Sequence, residues 1–285
     1  VFVLRFTNTH EHIAVKEEEN MEIICCLKQV PDTEAEIRPT ANNAEINYEG
    51  VKFVINVYDE YALEEALKVK EKVGAGAVTI VTLGPERAVE SIRTGLAMGA
   101  DKAVHLDDAA FLGADAYATA NALAKAIKGM SYDLIFCGMR AIDDDSFQAG
   151  HIIAEFLGLP SVMGIVKFEL SADKKSATVH RQVEGGAEVL EVSLPAVFGA
   201  TKGLNEPRYP SLPGIMKAKK KELKPVKAAD LGLSAGEVGK QGALTQVAKF
   251  SLPPLRQAGK IVEGDTPEKK AANLAKLLRE EAKVI

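Results

Sequence analysis

The chain has 285 residues, 47% of them hydrophobic and 26% charged, with a formal net charge of -5. That length suits one large domain or two modest ones with ample apolar material for a core, and the acidic balance argues against wide nucleic-acid binding by bulk charge. No run approaches the roughly 18 apolar residues of a membrane span, and Cys25, Cys26 and Cys137 sit in apolar runs without metal-ligand spacing, which reads as small buried residues in a reducing, cytoplasmic compartment.

Residues 1–20 stand apart. They mix His10 and His12 with the run Lys16-Glu17-Glu18-Glu19, lack the apolar stretch of a signal peptide, and precede Met21, which opens a clear strand. The segment reads as an N-terminal extension, from upstream translation or as an artefact. Two histidines without further ligands make a poor metal site.

Glu22-Ile23-Ile24-Cys25-Cys26-Leu27 is a short apolar run and predicts a first strand that passes into a loop at Pro31. Open parallel sheets bind at the carboxyl ends of their strands, so Lys28 is a candidate ligand contact, and a solvated surface charge explains it equally. After the turn residues Asn42 and Asn43, residues 60–73 place Ala62, Ala66, Val69 and Val73 on one helical stripe. Asp59 is the expected N-cap, Gly74 the stop, and Glu64 with Lys68 an i,i+4 ion pair. Asn56 suits a polar ligand contact and a turn role equally. Further strands are predicted at 77–83 and 102–106 and further helices at 86–98 and 115–127. His105, alternating with apolar neighbours, reads as structural. Strands alternating with helices predict a mostly parallel sheet covered on both faces, with right-handed crossovers.

The next unit carries the strongest chemical signal. An apolar run at 132–137 reads as a buried strand, and Ile152-Ile153-Ala154-Glu155-Phe156-Leu157 as the body of a helix. Between them lies Gly138-Met139-Arg140-Ala141-Ile142-Asp143-Asp144-Asp145-Ser146-Phe147-Gln148-Ala149-Gly150. A glycine at a strand end, followed by small and polar residues entering a helix, presents free backbone N–H groups to an anion, which reads as a nucleotide phosphate site. The spacing is neither G-x-G-x-x-G nor a Walker A loop. Asp143, Asp144 and Asp145 could hold magnesium or act in acid–base chemistry; capping of the following helix is the favoured reading.

Beyond Pro160 the pattern changes to apolar alternation at 166–170, 177–183 and 188–194, an antiparallel meander extending one edge of the sheet, and then a buried strand at 195–199. Asn205-Glu206-Pro207-Arg208-Tyr209-Pro210-Ser211-Leu212-Pro213-Gly214-Ile215-Met216 holds three prolines and a glycine, which argues against regular helix or central strand. Its apolar tip, Leu212, Ile215 and Met216, followed by Lys217-Ala218-Lys219-Lys220-Lys221, suits docking to an acidic partner better than closure over the protein's own core. Residues 222–259 lack periodicity and read as an extended arm. Thr266-Pro267-Glu268 starts a final amphipathic helix over 266–284. No Ser-His-Asp or Cys-His constellation is suggested, so the residues alone give a nucleotide-binding α/β domain with a partner-docking loop.

Three motif groups together carry a resemblance: Ala141-Ile142-Asp143-Asp144-Asp145 with Gln148-Ala149-Gly150; Arg181-Gln182-Val183-Glu184-Gly185-Gly186 with Pro195-Ala196-Val197; and Asn205-Glu206-Pro207-Arg208-Tyr209 with Leu212-Pro213-Gly214-Ile215-Met216-Lys217-Ala218-Lys219-Lys220-Lys221. From about Met21 to the C-terminus the chain resembles the beta subunit of electron transfer flavoprotein. The resemblance implies an adenine-nucleotide alpha-hydrolase-like fold over 21–221, with 222–285 as an arm and helix packing on an alpha subunit that holds most of the redox-active FAD. It implies an electron carrier without catalytic residues, taking electrons from acyl-CoA-type dehydrogenases to a quinone reductase or other acceptor.

The same resemblance places the nucleotide site on 138–150 together with Cys26, Asn56, Val57, Tyr58, Asp59 and Leu83. Thr33 and Gln182 fall near the partner's flavin, Leu212 on the anchor of a dehydrogenase-recognition loop, and Lys217 and Lys220 on its flank. Phe147 and Ala149 stand where AMP-binding members often carry asparagine and threonine, and Gly150-His151 replaces the Gly-Pro frequent in members holding a second FAD. AMP is favoured over a second FAD, which would instead imply a bifurcating subunit oxidising NADH. Gln182 replaces a glutamate implicated in gating, which puts a charge-based gate in doubt. An adenine-nucleotide-sensing module of the universal-stress type needs neither the 207–221 loop nor the arm.

Overall fold

A computed structural model describes residues 20–42, 45–256 and 258–285. The N-terminal extension with His10 and His12, and the turn residue Asn43, lie outside the described residues.

In chain order the strands and helices are β1 (Met21–Cys26), β2 (Gln29–Pro31), β3 (Arg38–Pro39), β4 (Ile46–Asn47), β5 (Phe53–Ile55), α1 (Val57–Val73), β6 (Gly76–Leu83), α2 (Ala88–Met98), β7 (Lys102–Leu106), α3 (Ala116–Lys128), β8 (Leu134–Gly138) and α4 (Ala149–Leu157). There follow β9 (Ser161–Leu170), β10 (Ser176–Val183), β11 (Gly186–Ser193), β12 (Ala196–Ala200), α5 (Leu212–Ala218), β13 (Leu223–Val226), α6 (Gly239–Gly242) and α7 (Pro267–Glu280). Nine strands form one sheet in the order β11-β10-β9-β12-β8-β1-β6-β7-β13. All neighbours pair in parallel except β9, β10 and β11, which form the antiparallel meander at one edge. The α/β architecture expected from the alternation is the one observed.

Period-2 alternation along β1 explains why the sheet is covered on both faces. Ile23 and Cys25 face a core shared with Leu63 and Ala66 of α1, Ile92 and Leu96 of α2, Phe136 and Phe198. Ile24 and Cys26 face the other core with Leu123 and Ile127 of α3, Ile153 of α4, Ile135 and Cys137. All three cysteines are buried and free, as read from the sequence. His105 is buried with its Nε2 2.9 Å from the Gly84 carbonyl, a structural role.

Four local expectations are corrected. Asn56, not Asp59, occupies the N-cap of α1, and Asp59 lies buried within the first turn. Glu64 is paired with Arg208 (Nε to Oε2, 2.8 Å) instead of Lys68: the buried face of α1 turns Glu64 toward a tertiary partner and leaves Lys68 exposed. The proline-rich segment contains a helix, α5, because Pro213 sits in the first turn, where its missing N–H has no intrahelical partner to lose, and Ser211 caps Gly214 N. The segment read as an arm starts with β13, which joins the sheet beside β7; Pro225 is tolerated because this strand is at the edge.

The chain divides into two compact units. Residues 38–47 and 249–285 form the smaller one, which holds the β3–β4 hairpin and α7, capped by Thr266 as expected. The remainder forms the larger unit. Among the described residues no helix is long and apolar enough to cross a membrane.

Candidate functional site

Strand order fixes where a ligand can sit. From β1 the chain crosses to β6 and β7 on one side and returns to β8 on the other, so the carboxyl ends of β1 and β8 part at a switch point, where open α/β sheets form their crevice. A cavity of about 270 Å³ lies there, lined from β1 and its exit by Cys26, Leu27 and Lys28, from β6 by Val81 and Leu83, and from β8 by Cys137 and Gly138. The first turns of α1, α3 and α4 complete it.

Asp59 ties the strand ends together. Its Oδ2 accepts from Lys28 N at 2.7 Å and its Oδ1 from Gly138 N at 2.8 Å, so one carboxylate bridges the exits of β1 and β8. Burial pushes its carboxyl up to about 7, against the opposing pull of these donors and Asn56. Gly138 is required by this approach, since a Cβ there would lie 2.4 Å from Asp59 Oδ1. Asn56 secures the next loop, donating from Nδ2 to Arg140 O (2.8 Å) and accepting at Oδ1 from Ile142 N (3.2 Å).

The acidic triplet does not cap α4. Gln148 holds the N-cap without a side-chain bond, and the three aspartates lie in the turn before it. Lys28 Nζ spans Asp143 (2.8 Å) and Asp144 (3.1 Å), and Arg140 pairs with Asp145 (3.2 Å) while reaching the Tyr58 hydroxyl (2.9 Å). Burial tends to lower the Lys28 pKa, but the two aspartates raise it overall, keeping the ammonium charged. Asp145 and Phe147 hold left-handed backbones, φ 53° and 57°, the cost of folding so tight a loop without glycine.

Because no side chain caps α4, the N–H groups of Gln148, Ala149 and Gly150 donate to no acceptor among the described residues, and all three residues line the cavity. Ala116 brings the start of α3 to the same space, where Asp115 caps Ala118 N at 3.0 Å. Two helix N-termini thus meet an apolar slot of Val81, Leu83, Leu123 and Ile153. Free N–H groups and dipole suit an anion, and the slot suits a planar base. Burial, then the nearby Asp59, pushes Cys26 up to about 12 and burial likewise raises Cys137, so both line the wall as neutral thiols, not nucleophiles.

Of the residues expected at the site, Cys26, Asn56, Asp59, Leu83, Gly138, Met139, Arg140, Ala141, Asp144, Ser146, Phe147, Gln148, Ala149 and Gly150 line the cavity. Val57, Tyr58, Ile142, Asp143 and Asp145 are not among its lining residues; Tyr58, Asp143 and Asp145 support it through the Arg140 and Lys28 contacts just described. Sequence reasoning missed Asp115 and Thr119, whose signal was present in the start of a helix after the third parallel strand. Among the described residues no group of three His, Cys, Asp or Glu is placed to hold a metal.

An Electron transfer flavoprotein domain model matches residues 45–231. The electron transfer flavoprotein subunit beta of Thermoanaerobacterium thermosaccharolyticum is 46% identical over 87% of this chain and 94% of its own length, and that of Bacillus subtilis 42% over 93% and 100%. The chain belongs to the electron transfer flavoprotein beta subunit family. The caffeyl-CoA reductase-Etf complex subunit CarD of Acetobacterium woodii is also similar, 40% identical over 91% of this chain and 98% of its own length.

In this electron transfer flavoprotein subunit the expected docking residues Leu212, Ile215, Met216 and Lys217 sit on α5, and Lys220 lies in the turn that follows it. Leu212 and Met216 are 79% and 73% exposed, Ile215 is 44% exposed, and Lys217 and Lys220 are exposed beside them. Lys221, read with the same basic run, instead turns inward to Leu96 O (2.9 Å) and Ala100 O at the end of α2. Thr33, in the turn after β2, and Gln182, near the β10–β11 hairpin tip, are exposed and do not line the cavity.

Proposed function

We propose that this chain is the beta half of a heterodimeric electron carrier that works in the cytoplasm, holding an adenine nucleotide in the switch-point cavity while an alpha subunit holds most of the FAD. The observation that carries the nucleotide assignment is the conjunction of two helix N-termini with an apolar slot in one cavity. Its volume, about 270 Å³, lies just below the roughly 300–1,000 Å³ of ligand pockets, which favours AMP over a second, larger FAD. In this reading Val81, Leu83 and Ile153 flank the base, the N–H groups at 148–150 meet the phosphate, and Lys28 and Arg140, ion-paired to the aspartates at 143–145, hold the loop that rims it.

FAD, when bound to the alpha subunit, supplies the redox chemistry. This chain supplies surfaces: Thr33 and Gln182 face the partner's flavin, and α5 docks an acyl-CoA-type dehydrogenase through Leu212, Ile215 and Met216, with Lys217 and Lys220 steering it. Electrons then pass to a quinone reductase or other acceptor. The Acetobacterium relative, named as a subunit of a caffeyl-CoA reductase-Etf complex, favours a second reading in which this subunit serves one dedicated complex.

The docking role is tested by stopped-flow reduction of the purified heterodimer by a reduced acyl-CoA dehydrogenase. Leu212→Ala is expected to slow reduction about tenfold, the loss of roughly one buried aliphatic anchor, with flavin content unchanged. Unchanged reduction kinetics, or loss of flavin instead, would sink the assignment.

A further inference from the structure

A seven-residue helix cannot hold itself in water, because helices shorter than roughly 12 residues do not recover the cost of nucleation. α5 carries its largest apolar side chains toward solvent, so a buried face does not supply the missing stability; Ala218 is its one buried residue. Beyond the close packing of Gly214 and Ala218 on its neighbours, its order comes from the chain on either side.

Both flanks are clamped by charged groups that the nucleotide cavity does not use. Ahead of the helix, Arg208 makes a forked contact with the buried Glu64 of α1, Nε to Oε2 at 2.8 Å and Nη2 to Oε1 at 3.0 Å, while its backbone N reaches Oε2 at 3.1 Å. The same guanidinium reaches the exposed Glu71, two turns further along the same face of α1, at 2.5 and 3.1 Å. Asn205 adds bonds to Tyr61 O (3.0 Å) and Glu65 Oε2 (2.8 Å). Behind the helix, Arg93 of α2 donates to Ala218 O at 2.6 Å and Lys221 O at 2.9 Å, while Lys221 donates to the last carbonyls of α2. Arg93 thus caps the carboxyl end of α5, and Lys221, three residues beyond α5, caps that of α2, each complementing the helix dipole. Gly214 packs so closely on α2 that a Cβ would lie 2.4 Å from Ala97 O.

We propose that Arg208 and Arg93 are positioning residues for partner recognition, clamping α5 between α1 and α2 so that Leu212 and Met216 are presented pre-organised. The inference rests on the reading of α5 as a docking helix. Pre-organisation cuts the ordering cost of association, so loosening a clamp weakens encounter with the partner while leaving electron transfer within the docked complex intact. Arg208 is the sharper case, because a planar fork on a buried carboxylate is geometry that lysine does not reproduce.

The test uses the flavin-loaded heterodimer and two readouts, amide hydrogen exchange at 212–218 and steady-state reduction by a reduced acyl-CoA dehydrogenase. Arg208→Lys is expected to speed exchange across α5 about tenfold or more and to raise KM for the dehydrogenase several-fold, with kcat within about twofold and flavin content unchanged. Where Arg208→Lys fails to fold, Glu71→Gln and Arg93→Gln loosen the exposed arm of one clamp and the rear clamp without stranding the buried Glu64. Unaltered exchange in these variants would overturn the clamp. Faster exchange with unaltered KM would overturn the role in recognition, and if Leu212→Ala were also without effect the docking reading itself would fail.

Discussion

Asp59 shows how one residue can define the site's electrostatics without facing a ligand as its main task. Its carboxyl is raised by burial from an ordinary value of 3.8 to about 7, so the unfolded chain binds fewer protons than the folded one between those values. The stability it contributes is therefore fully present below about pH 4 and is lost as pH rises through about 7. Asp59→Asn lacks this titration, and it can accept from only one of the two backbone N–H groups now bound by Asp59. Chemical denaturation from pH 5 to pH 8 is expected to show the stability of the parent falling relative to Asp59→Asn by on the order of 2–3 kcal/mol. A flat difference across that range would contradict the assignment of Asp59 as a buried acid whose pKa is raised on folding. Phe147 belongs to the same scale: asparagine tolerates φ 57° better than a bulky aromatic, so Phe147→Asn is expected to stabilise the protein by about 0.5–1 kcal/mol in thermal unfolding. A destabilised variant would show that the Phe147–His151 ring contact, 6.0 Å between centroids, outweighs backbone strain.

At the scale of elements, what was legible in the sequence was local. The strands β1, β6, β7 and β8 and their helices announce themselves through apolar runs and 3.6-residue stripes, and the meander through alternation broken by Gly185-Gly186. The glycine-ended strand before 139–150 marked the cavity for the same reason. Where reading failed, a tertiary partner decided the outcome. Glu64 and Lys68 have ideal helical spacing, yet Glu64 faces inward and Arg208, 144 residues away, reaches it. The aspartates after Ile142 resemble capping residues, yet Lys28, 115 residues away from Asp143, draws that carboxylate to the cavity rim. β13 and α5 carry too little periodicity in four and seven residues to be recognised, and both owe their conformation to neighbours already in place.

At the scale of the whole molecule, the larger unit gathers two working regions onto one helix. α1 contributes Asn56 and Asp59 to the cavity at its start and Glu64 and Glu71 to the α5 clamp along its length. In the proposed reading the nucleotide cavity and the docking helix share one element, α1, so that occupancy of the cavity would steady the strand exits from which α1 departs. The most direct measurement is to purify the chain with its alpha partner, denature the complex and quantify the nucleotides released. One FAD and one AMP per heterodimer is the expected result, whereas release of no adenine nucleotide beyond the alpha subunit's FAD would contradict the account.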